Sequence, residues 1–433
     1  MTRIWTTQLH EHIGRRVRLA GWLHHWRPLG QIAFLILRDG KGLAQAVVQD
    51  PELTARLDGV QRESVLTIDG VVRESPQAPG GVEVHEPSVD VVAAAAGGPP
   101  LDLSRPTVNA GLPLILDHAP VALRHPRLRA PFEIAAASMA GFRAVLRSAG
   151  FVEIQTPKIV GTATESGASV FSIDYFGRRA YLAQSPQLYK QIMVGVFERV
   201  FEIGPVFRAE PHDTPRHLNE YVSMDAETGF IDDHTTVMSV LTQVLAGMVD
   251  AIRGDAADAL TRLGVRLPDV PAAIPTLHFT EALALIARET GAGALHESDL
   301  TPQHERWLGR WAQTVHHSDY LFVTGYPMAK RPFYTHPDPA RPEYANGFDL
   351  LFRGTELVTG GQRLHRYEDY VSALSGRGLS PEPLAGYLEA FRYGMPPHGG
   401  FAIGLERWVA SLVGASNIRE VTLFPRDQQR VSP

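Results

Sequence analysis

Residues 201–227 read FEIGPVFRAEPHDTPRHLNEYVSMDAE, a polar loop between two strand-like runs, and this stretch decides the fold of the larger part of the chain. The first run carries Arg208 and Glu210, and Asp225 and Glu227 lie on the second. We therefore expect a β-hairpin that brings a guanidinium and several carboxylates to one place. Arginine binds phosphate through two parallel hydrogen bonds and cannot lose its charge. A surface hairpin with ion pairs is an equally good interpretation of this stretch alone.

Two other segments of this region could bind a nucleotide. PPHGGFAIGLER at 396–407 is a glycine-rich strand-to-helix junction, where the N–H groups of a helix N-terminus attract anions; a packed glycine turn has the same pattern. DLLFRGTELVTGGQR at 349–363 places Asp349 and Glu356 on two strands. Such oxygen donors suit Mg²⁺ held together with substrate phosphates, although two solvent-facing acids are the commoner outcome at this spacing.

A fourth segment, LAQSPQLYK at 182–190, carries one of only four lysines in the chain. Gln187 and Lys190 are three residues apart and share one face of a helix. A lysine and a glutamine placed in this way could hold a small carboxylate, while an ordinary solvated helix face is the favoured alternative for this pair alone.

The pattern outside these segments separates the chain into an N-terminal β-rich part and a larger mixed part. Residues 1–100 contain five short strand-like runs, which suit a small closed barrel such as an OB-fold. VAAAAGGPP at 92–100 begins a linker, and we place a hinge at 101–130. Helical and strand-like runs then alternate without a fixed repeat, which predicts one α+β domain over 131–433 with a helical insertion at about 253–320.

Composition excludes several classes of protein. The 433 residues carry a net charge of −6, which excludes a uniformly basic histone-like binder but not a local basic groove. Cysteine is absent, so disulfides, thiolate metal sites and cysteine nucleophiles are excluded, in keeping with a reducing cytoplasm. No apolar run approaches the length of a membrane span, and MTRIWTTQLHEH lacks the apolar core of a signal peptide, so we expect neither.

Together the four segments resemble a class II aminoacyl-tRNA synthetase, and closely the archaeal-type aspartyl-tRNA synthetases, over nearly the whole chain. FVEIQTPKI at 151–159 resembles motif 1, 207–227 resembles motif 2, and 399–407 resembles motif 3. The order and spacing of the motifs make the match specific, and QSPQLYK and GGQR narrow it to the aspartate subclass. The resemblance implies an α+β fold: an N-terminal OB-fold anticodon-binding barrel, then a class II antiparallel-sheet catalytic domain with a helical insertion.

The resemblance also implies the reaction and the residues that carry it. ATP and L-aspartate would form aspartyl-adenylate, and the aspartyl group would pass to the 3′-hydroxyl of the terminal adenosine of a tRNA. The implied ATP-binding and catalytic residues are Arg208, Glu210, Arg216, His217, Leu218, Glu356, Gly404, Leu405, Glu406 and Arg407. The implied aspartate-binding residues are Glu165, Gln187, Lys190, Arg208, Asp225, Thr359 and Arg363. The implied Mg²⁺ ligands are Asp349, Glu356 and Thr359.

Roles within this set follow the family. Arg208 would hold the α-phosphate, and Lys190 and Arg363 would grip the side-chain carboxylate of aspartate. Two positions depart from the family pattern: Thr359 stands where serine is usual, and residues 211–213 read PHD where close relatives carry a second acid.

The N-terminal barrel would read the anticodon through Arg27, Phe34 and Gln45. Phe34 would stack on a base, although a core position is an alternative for this residue. The residues at positions 24 and 79, His24 and Pro79, resemble those of family members whose tRNA specificity is relaxed, so that they charge both tRNA(Asp) and tRNA(Asn). The resemblance therefore implies two tRNA partners, a cytoplasmic homodimer, and a tRNA-dependent amidotransferase that would act on aspartyl-tRNA(Asn).

Several other classes of protein share parts of this pattern. A strict tRNA(Asp)-only enzyme, an asparagine synthetase-like paralogue and an inactive tRNA-binding paralogue are the main alternatives. The barrel argues against the second, and the presence of Arg208, Lys190, Glu356, Arg363 and Arg407 argues against the third. A class I synthetase lacks support beyond the HIGR tetrapeptide, no lysine follows a P-loop glycine pattern, and a zinc site lacks both cysteine and the usual histidine spacing.

Overall fold

The computed structural model describes residues 2–161, 170–211, 214–291 and 297–432, and the chain forms two compact units, Met1–His125 and Pro126–Pro433. The second unit begins with a helix that starts at Pro126, ahead of Pro131, where the sequence pattern places the start of the domain. Proline is tolerated in the first turn of a helix, so Pro126 can begin one.

The first unit is a closed five-stranded barrel in the order β1-β2-β3-β5-β4, which confirms the OB-fold prediction. Val17, Leu19 and Leu23 alternate with more exposed residues along the first strand, so the barrel interior is filled with apolar side chains. The elements are β1 (Arg16–Leu29), β2 (Ile32–Arg38), β3 (Leu43–Val48), α1 (Pro51–Leu57), β4 (Val65–Glu74), β5 (Val82–Ala93), α2 (Leu112–Asp117) and α3 (Ala119–Ala122), with 3-10 turns at Thr6–His12 and Pro79–Gly81.

The second unit combines helices with one large sheet and one small sheet, which confirms the mixed α+β class. Its helices are α4 (Pro126–Ser148), α5 (Gln187–Phe197), α6 (His234–Asp255), α7 (Ala257–Leu263), α8 (Phe279–Thr290), α9 (Pro302–His316), α10 (Tyr367–Ser375), α11 (Ala385–Arg392) and α12 (Leu405–Val413). Its strands are β6 (Val152–Glu153), β7 (Ile159–Val160), β8 (Ser172–Tyr175), β9 (Arg178–Leu182), β10 (Arg199–Phe207), β11 (Glu220–Gly229), β12 (Thr276–His278), β13 (Tyr320–Thr324), β14 (Gly347–Phe352), β15 (Thr355–Arg363) and β16 (His398–Gly404).

The large sheet has the order β12-β13-β14-β15-β16-β11-β10-β6, antiparallel except for the pair at each end. The main apolar core combines residues of α4, α6 and α12 with residues of these strands. Helix α6 is long and apolar enough to cross a membrane, with a mean hydropathy of 1.4, but seven of its side chains, the first Val237 and the last Ile252, are buried in that core.

The register of the central strands brings distant parts of the sequence together. Asp349 is paired with Thr359, Thr359 with Ala402, and Ala402 with Asp225. Directly opposite residues of neighbouring strands share a face, so these four positions form one row across β14, β15, β16 and β11. Two predicted metal ligands and a predicted aspartate-binding residue therefore lie on the same face of the sheet.

Candidate active site

A cavity of about 340 Å³ opens in the second unit, over β11, β15 and β16. Most residues that the sequence analysis selected in this unit line it: Gln187, Arg208, Glu210, Arg216, His217, Leu218, Asp225, Glu356, Thr359, Arg363, Gly404, Glu406 and Arg407. Lys190, Asp349 and Leu405 are buried beside it instead. Glu165, with the surrounding residues 164–168, lies outside the described residues.

The hairpin β10–β11 supplies one wall of the cavity. Its strands pair from Arg199↔Thr228 to Phe207↔Glu220, and the loop 208–219 is closed at its base because Asn219 Nδ2 donates to Arg208 O at 2.7 Å. The Arg208 guanidinium lies 5.5 Å from the centre of the Tyr221 ring. This cation–π contact holds a half-exposed cation at the cavity wall, where an anion could meet it.

The second half of the same loop carries Arg216 and His217. Thr214 Oγ1 lies 2.6 Å from His217 Nδ1, and the other ring nitrogen of His217 lies 3.8 Å from a carboxylate oxygen of Glu210. These contacts orient the imidazole toward the cavity. The departure from the family at residues 211–213 falls mostly outside the described residues, because His212 and Asp213 are not described.

A buried cluster of two cations and two carboxylates forms the floor of the cavity. Lys190 Nζ lies 2.9 Å from Asp225 Oδ1 and 3.3 Å from Glu227 Oε2, and Arg363 Nε donates to Glu227 Oε1 at 3.0 Å. Burial alone would raise the pKa of Glu227, but the charges of Arg363 and Lys190 outweigh it and hold that pKa below its ordinary value. Glu227 therefore stays ionised and fixes both cations.

Glu227 was not among the predicted site residues, although the sequence contains a signal for it. It lies two residues after Asp225 on β11, so the two carboxylates share a face of the strand. Gly400 is opposite Glu227, and a Cβ atom there would lie 2.1 Å from Glu227 Oε2. Only glycine leaves room for the carboxylate.

The Gln187 side chain approaches the same cluster. Arg363 Nη2 donates to Gln187 Oε1 at 3.4 Å, whereas Gln187 Nε2 is buried and has no hydrogen-bond partner within the described ranges. A buried donor without a partner costs free energy, which a ligand acceptor in the cavity would recover.

The three predicted metal ligands differ in their exposure and in their partners. Asp349 is buried and ion-paired with Arg331, whose Nη2 lies 2.9 Å from Asp349 Oδ2. Glu356 is partly exposed to the cavity, and Thr359 Oγ1 donates to Glu356 Oε1 at 3.4 Å. Burial and the neighbouring Asp349 raise the pKa of Glu356 to about 7. A divalent cation would relieve this crowding of negative charge, so the oxygens of Glu356 and Thr359 fit Mg²⁺.

Two features of this corner were not predicted from the sequence. Arg331, whose guanidinium lies 4.1 Å from the centre of the Tyr326 ring, donates to both oxygens of Asp349, and each oxygen keeps a further lone pair. Glu305 on α9 accepts a hydrogen bond from the Glu356 backbone at 2.9 Å. Within the described residues no group of three or more His, Asp or Glu side chains could hold a metal alone.

The strand-to-helix junction of β16 and α12 forms the remaining wall. Gly404 precedes α12, and both carboxylate oxygens of Glu406 accept from the Val222 N–H at 3.1 Å. Arg407 Nη1 donates to the Glu356 backbone carbonyl at 3.1 Å and lies 3.5 Å from its carboxylate. Glu406 thus braces the helix against β11, and Arg407 faces the cavity.

The barrel carries its own candidate nucleic-acid face. Arg27 and Phe34 are opposite each other on β1 and β2, with the guanidinium 5.2 Å from the ring centre. Phe34 is half-buried, between Ala33 and Leu35, which point into the core, so it is not a core residue. Gln45 Nε2 donates to Glu83 Oε2 at 2.9 Å, which orients its amide on the same face.

The two residues predicted to set tRNA choice lie in irregular parts of the barrel. His24 occupies a β-bulge between Leu23 and His25. Burial and the nearby Arg38 charge lower the pKa of His24 to about 4, so its ring is neutral at physiological pH. Pro79 begins the 3-10 turn Pro79–Gly81, and its side chain is outside what the structure describes.

Comparisons with known proteins agree with this geometry. Residues 113–428 match the model of tRNA synthetases class II (D, K and N), and residues 17–92 match the OB-fold nucleic acid binding domain. The chain is 45% identical to the aspartate--tRNA(Asp/Asn) ligase of Thermus thermophilus over 431 residues, covering 100% of both. It is 39% identical to the aspartate--tRNA(Asp) ligase of Thermococcus kodakarensis, covering 97% of both. Asparaginyl-tRNA synthetase from Pyrococcus horikoshii, complexed with asparaginyl-adenylate, superposes with a TM-score of 0.92 at 30% identity over 100% of both chains.

Proposed function

The chain belongs to the class II tRNA synthetases for aspartate, lysine and asparagine, and on that premise we propose that it ligates L-aspartate to both tRNA(Asp) and tRNA(Asn). The full-length 45% identity to an aspartate--tRNA(Asp/Asn) ligase is the observation that carries the proposal. The OB-fold match over 17–92 disfavours an asparagine synthetase-like paralogue, and the presence of Arg208, Glu356, Arg363 and Arg407 in the cavity disfavours an inactive one.

Selection of aspartate is assigned to the buried cluster. Lys190 and Arg363 would bind the side-chain carboxylate, and Gln187 and Asp225 would orient the ammonium end. Arg363 lines the cavity and is ion-paired with the buried Glu227, so its position is set before substrate binds. The neutral amide of asparagine carries no charge and would form no ion pair with these cations, which favours aspartate over asparagine.

Adenylate formation needs positioned charge rather than a general base. The α-carboxylate of aspartate is already ionised and would attack the α-phosphorus in line, with pyrophosphate leaving. Arg208 would bind the α-phosphate, and Arg216, His217 and Arg407 would bind the outer phosphates. Asp349, Glu356 and Thr359 would hold Mg²⁺ together with the phosphates, and the ion would supply neutralisation of developing charge. In the second step the 3′-hydroxyl of the tRNA would displace AMP from the aspartyl-adenylate.

The charging of tRNA(Asn) rests on the barrel. A neutral His24, and a proline at position 79, leave a less bulky and less charged surface than the larger or cationic residues expected in strict enzymes. The chain is also 39% identical to an aspartate--tRNA(Asp) ligase, so we assign the tRNA choice to individual side chains such as His24 and Pro79 rather than to the fold. An enzyme that charges both tRNAs requires an amidotransferase that acts on its aspartyl-tRNA(Asn). We also place the protein in the cytoplasm.

We also propose a homodimer. The motif 1 region includes β6 and β7, where Val152 and Ile159 are exposed apolar side chains next to helix α4. In this family that region pairs two subunits, and a twofold contact there would cover both side chains.

Pyrophosphate exchange tests the amino acid specificity. Labelled pyrophosphate should enter ATP when L-aspartate is present and not when L-asparagine replaces it. Exchange that depends on asparagine, or that is absent with both amino acids, would contradict the proposal.

A further inference from the structure

The loop that carries Arg216 and His217 is anchored by the last part of the chain. The Ile418 N–H donates to Pro215 O at 2.8 Å, and Arg419 Nη1 donates to Thr214 O at 3.2 Å. Both hydrogen bonds use backbone carbonyls immediately before Arg216, so they fix the direction in which the chain enters this part of the loop.

A third anchor lies on the other side of the same residues. The Asn219 N–H donates to Arg426 O at 2.8 Å, and Glu220 forms an isolated antiparallel bridge with Arg426. Residues 216–218, which line the cavity, are therefore bracketed by contacts with residues 418–426. We call residues 417–430 the C-terminal segment.

One buried ion pair holds the C-terminal segment in this shape. Arg419 Nε donates to Asp427 Oδ2 at 2.5 Å, and both side chains are about nine-tenths buried. Asp427 Oδ1 accepts the N–H groups of Gln429 and Arg430, each at 2.9 Å. Arg419 thus joins Asp427 on one side to Thr214 O on the other, and breaking a buried pair of this kind leaves an uncompensated charge.

We propose that the Arg419–Asp427 pair is a positioning device for the outer-phosphate side of the ATP site. Neither side chain is among the cavity-lining residues, and both act through the backbone of residues 214–219. The pair fixes where Arg216 and His217 meet the phosphates. None of the hydrogen bonds and ion pairs described for the aspartate-binding cluster involves Arg419 or Asp427. The inference rests on the proposed function, since it assigns the pair to one of that enzyme's two substrates.

Two variants of the full chain test the pair. Asp427→Asn removes the charge, and Arg419→Lys removes the planar fork that joins Asp427 to Thr214. In pyrophosphate exchange each should raise KM for ATP about tenfold or more, because displacement of binding groups by about 1 Å can cost about a hundredfold. KM for aspartate should stay within about twofold. The double variant should be no worse than the worse single variant, because the pair is broken only once.

Asp250→Asn is the matched control, since Asp250 accepts from Arg253 at 2.5 Å on the exposed surface of α6. It should leave both KM values unchanged. Equal changes in KM for ATP and aspartate, or none in folded variants, would overturn the inference; if Asp427→Asn does not fold, Arg419→Lys decides. Loss of aspartate-dependent exchange in the unaltered protein would instead refute the proposed function.

Discussion

Arg363→Gln is the substitution that most directly probes how aspartate is selected. It removes one of the two cations of the buried cluster and leaves Lys190 to face both Asp225 and Glu227, so the balance of two positive and two negative groups becomes net negative. An incoming carboxylate would then lose a charge-assisted hydrogen bond, worth about 1.5–3 kcal/mol. At about 1.36 kcal/mol per tenfold, kcat/KM for aspartate should fall roughly 10- to 150-fold.

Pyrophosphate exchange at varied aspartate and saturating ATP measures this loss. Arg253→Gln, which changes an exposed arginine on α6, is the control and should behave as the unaltered protein. A thermal melt checks that the variant folds, because glutamine can still donate to Glu227. Unchanged kcat/KM for aspartate, or an equal loss when ATP is varied, would refute the reasoning about Arg363.

Three further predictions concern the cluster, helix α12 and the barrel. Gly400→Ala should lower Tm and cost about 1–3 kcal/mol, because its Cβ would overlap the Glu227 carboxylate, whereas Gly386→Ala on α11 has open space and should be neutral or stabilising by up to about 1 kcal/mol. Burial raises the pKa of Glu406 to about 7 from 4.5, so its contribution to stability is present in full below pH 4.5 and is lost as the pH rises to about 7. Urea unfolding at pH 5 and pH 8 should therefore show a smaller loss of stability with rising pH in Glu406→Gln; an identical pH dependence would contradict this. Pro79→Lys should reduce charging of tRNA(Asn) more than that of tRNA(Asp), and equal effects on both in aminoacylation assays would remove the idea.

Local patterns in the sequence were sufficient for the strands and the barrel. Alternation of apolar residues in β1, and the run of β14 that is apolar except for Asp349, reflect whether one or both faces of a strand are covered, so they can be recognised without knowledge of the partners. A packed glycine turn was the alternative for the stretch 396–407, yet strand β16 begins at His398. Gly399 and Gly400 have no side chains to alternate, and close packing rather than a turn explains them: a Cβ at Gly399 would meet Gly361 O, and one at Gly400 would meet Glu227.

The contacts that complete the site depend on residues far apart in the chain. Glu227 meets Arg363 across 136 residues, and Asp349 meets Arg331 through a loop that has no periodic signal. Motif spacing could identify Asp349 as an oxygen donor, but only the fold reveals that Arg331 donates hydrogen bonds to its carboxylate. The anchoring of the loop 208–219 by the C-terminal segment is of the same kind, since hydrogen bonds to backbone carbonyls leave no trace in residue type.

Aminoacylation with labelled aspartate tests the central claim most directly. The purified protein is given ATP, Mg²⁺ and either a tRNA(Asp) or a tRNA(Asn) transcript, and acid-precipitable label is followed over time. We predict comparable charging of both transcripts. Charging of tRNA(Asp) alone would contradict the relaxed specificity inferred from His24 and Pro79, and charging of neither would contradict the assignment of the protein as an aspartate--tRNA ligase.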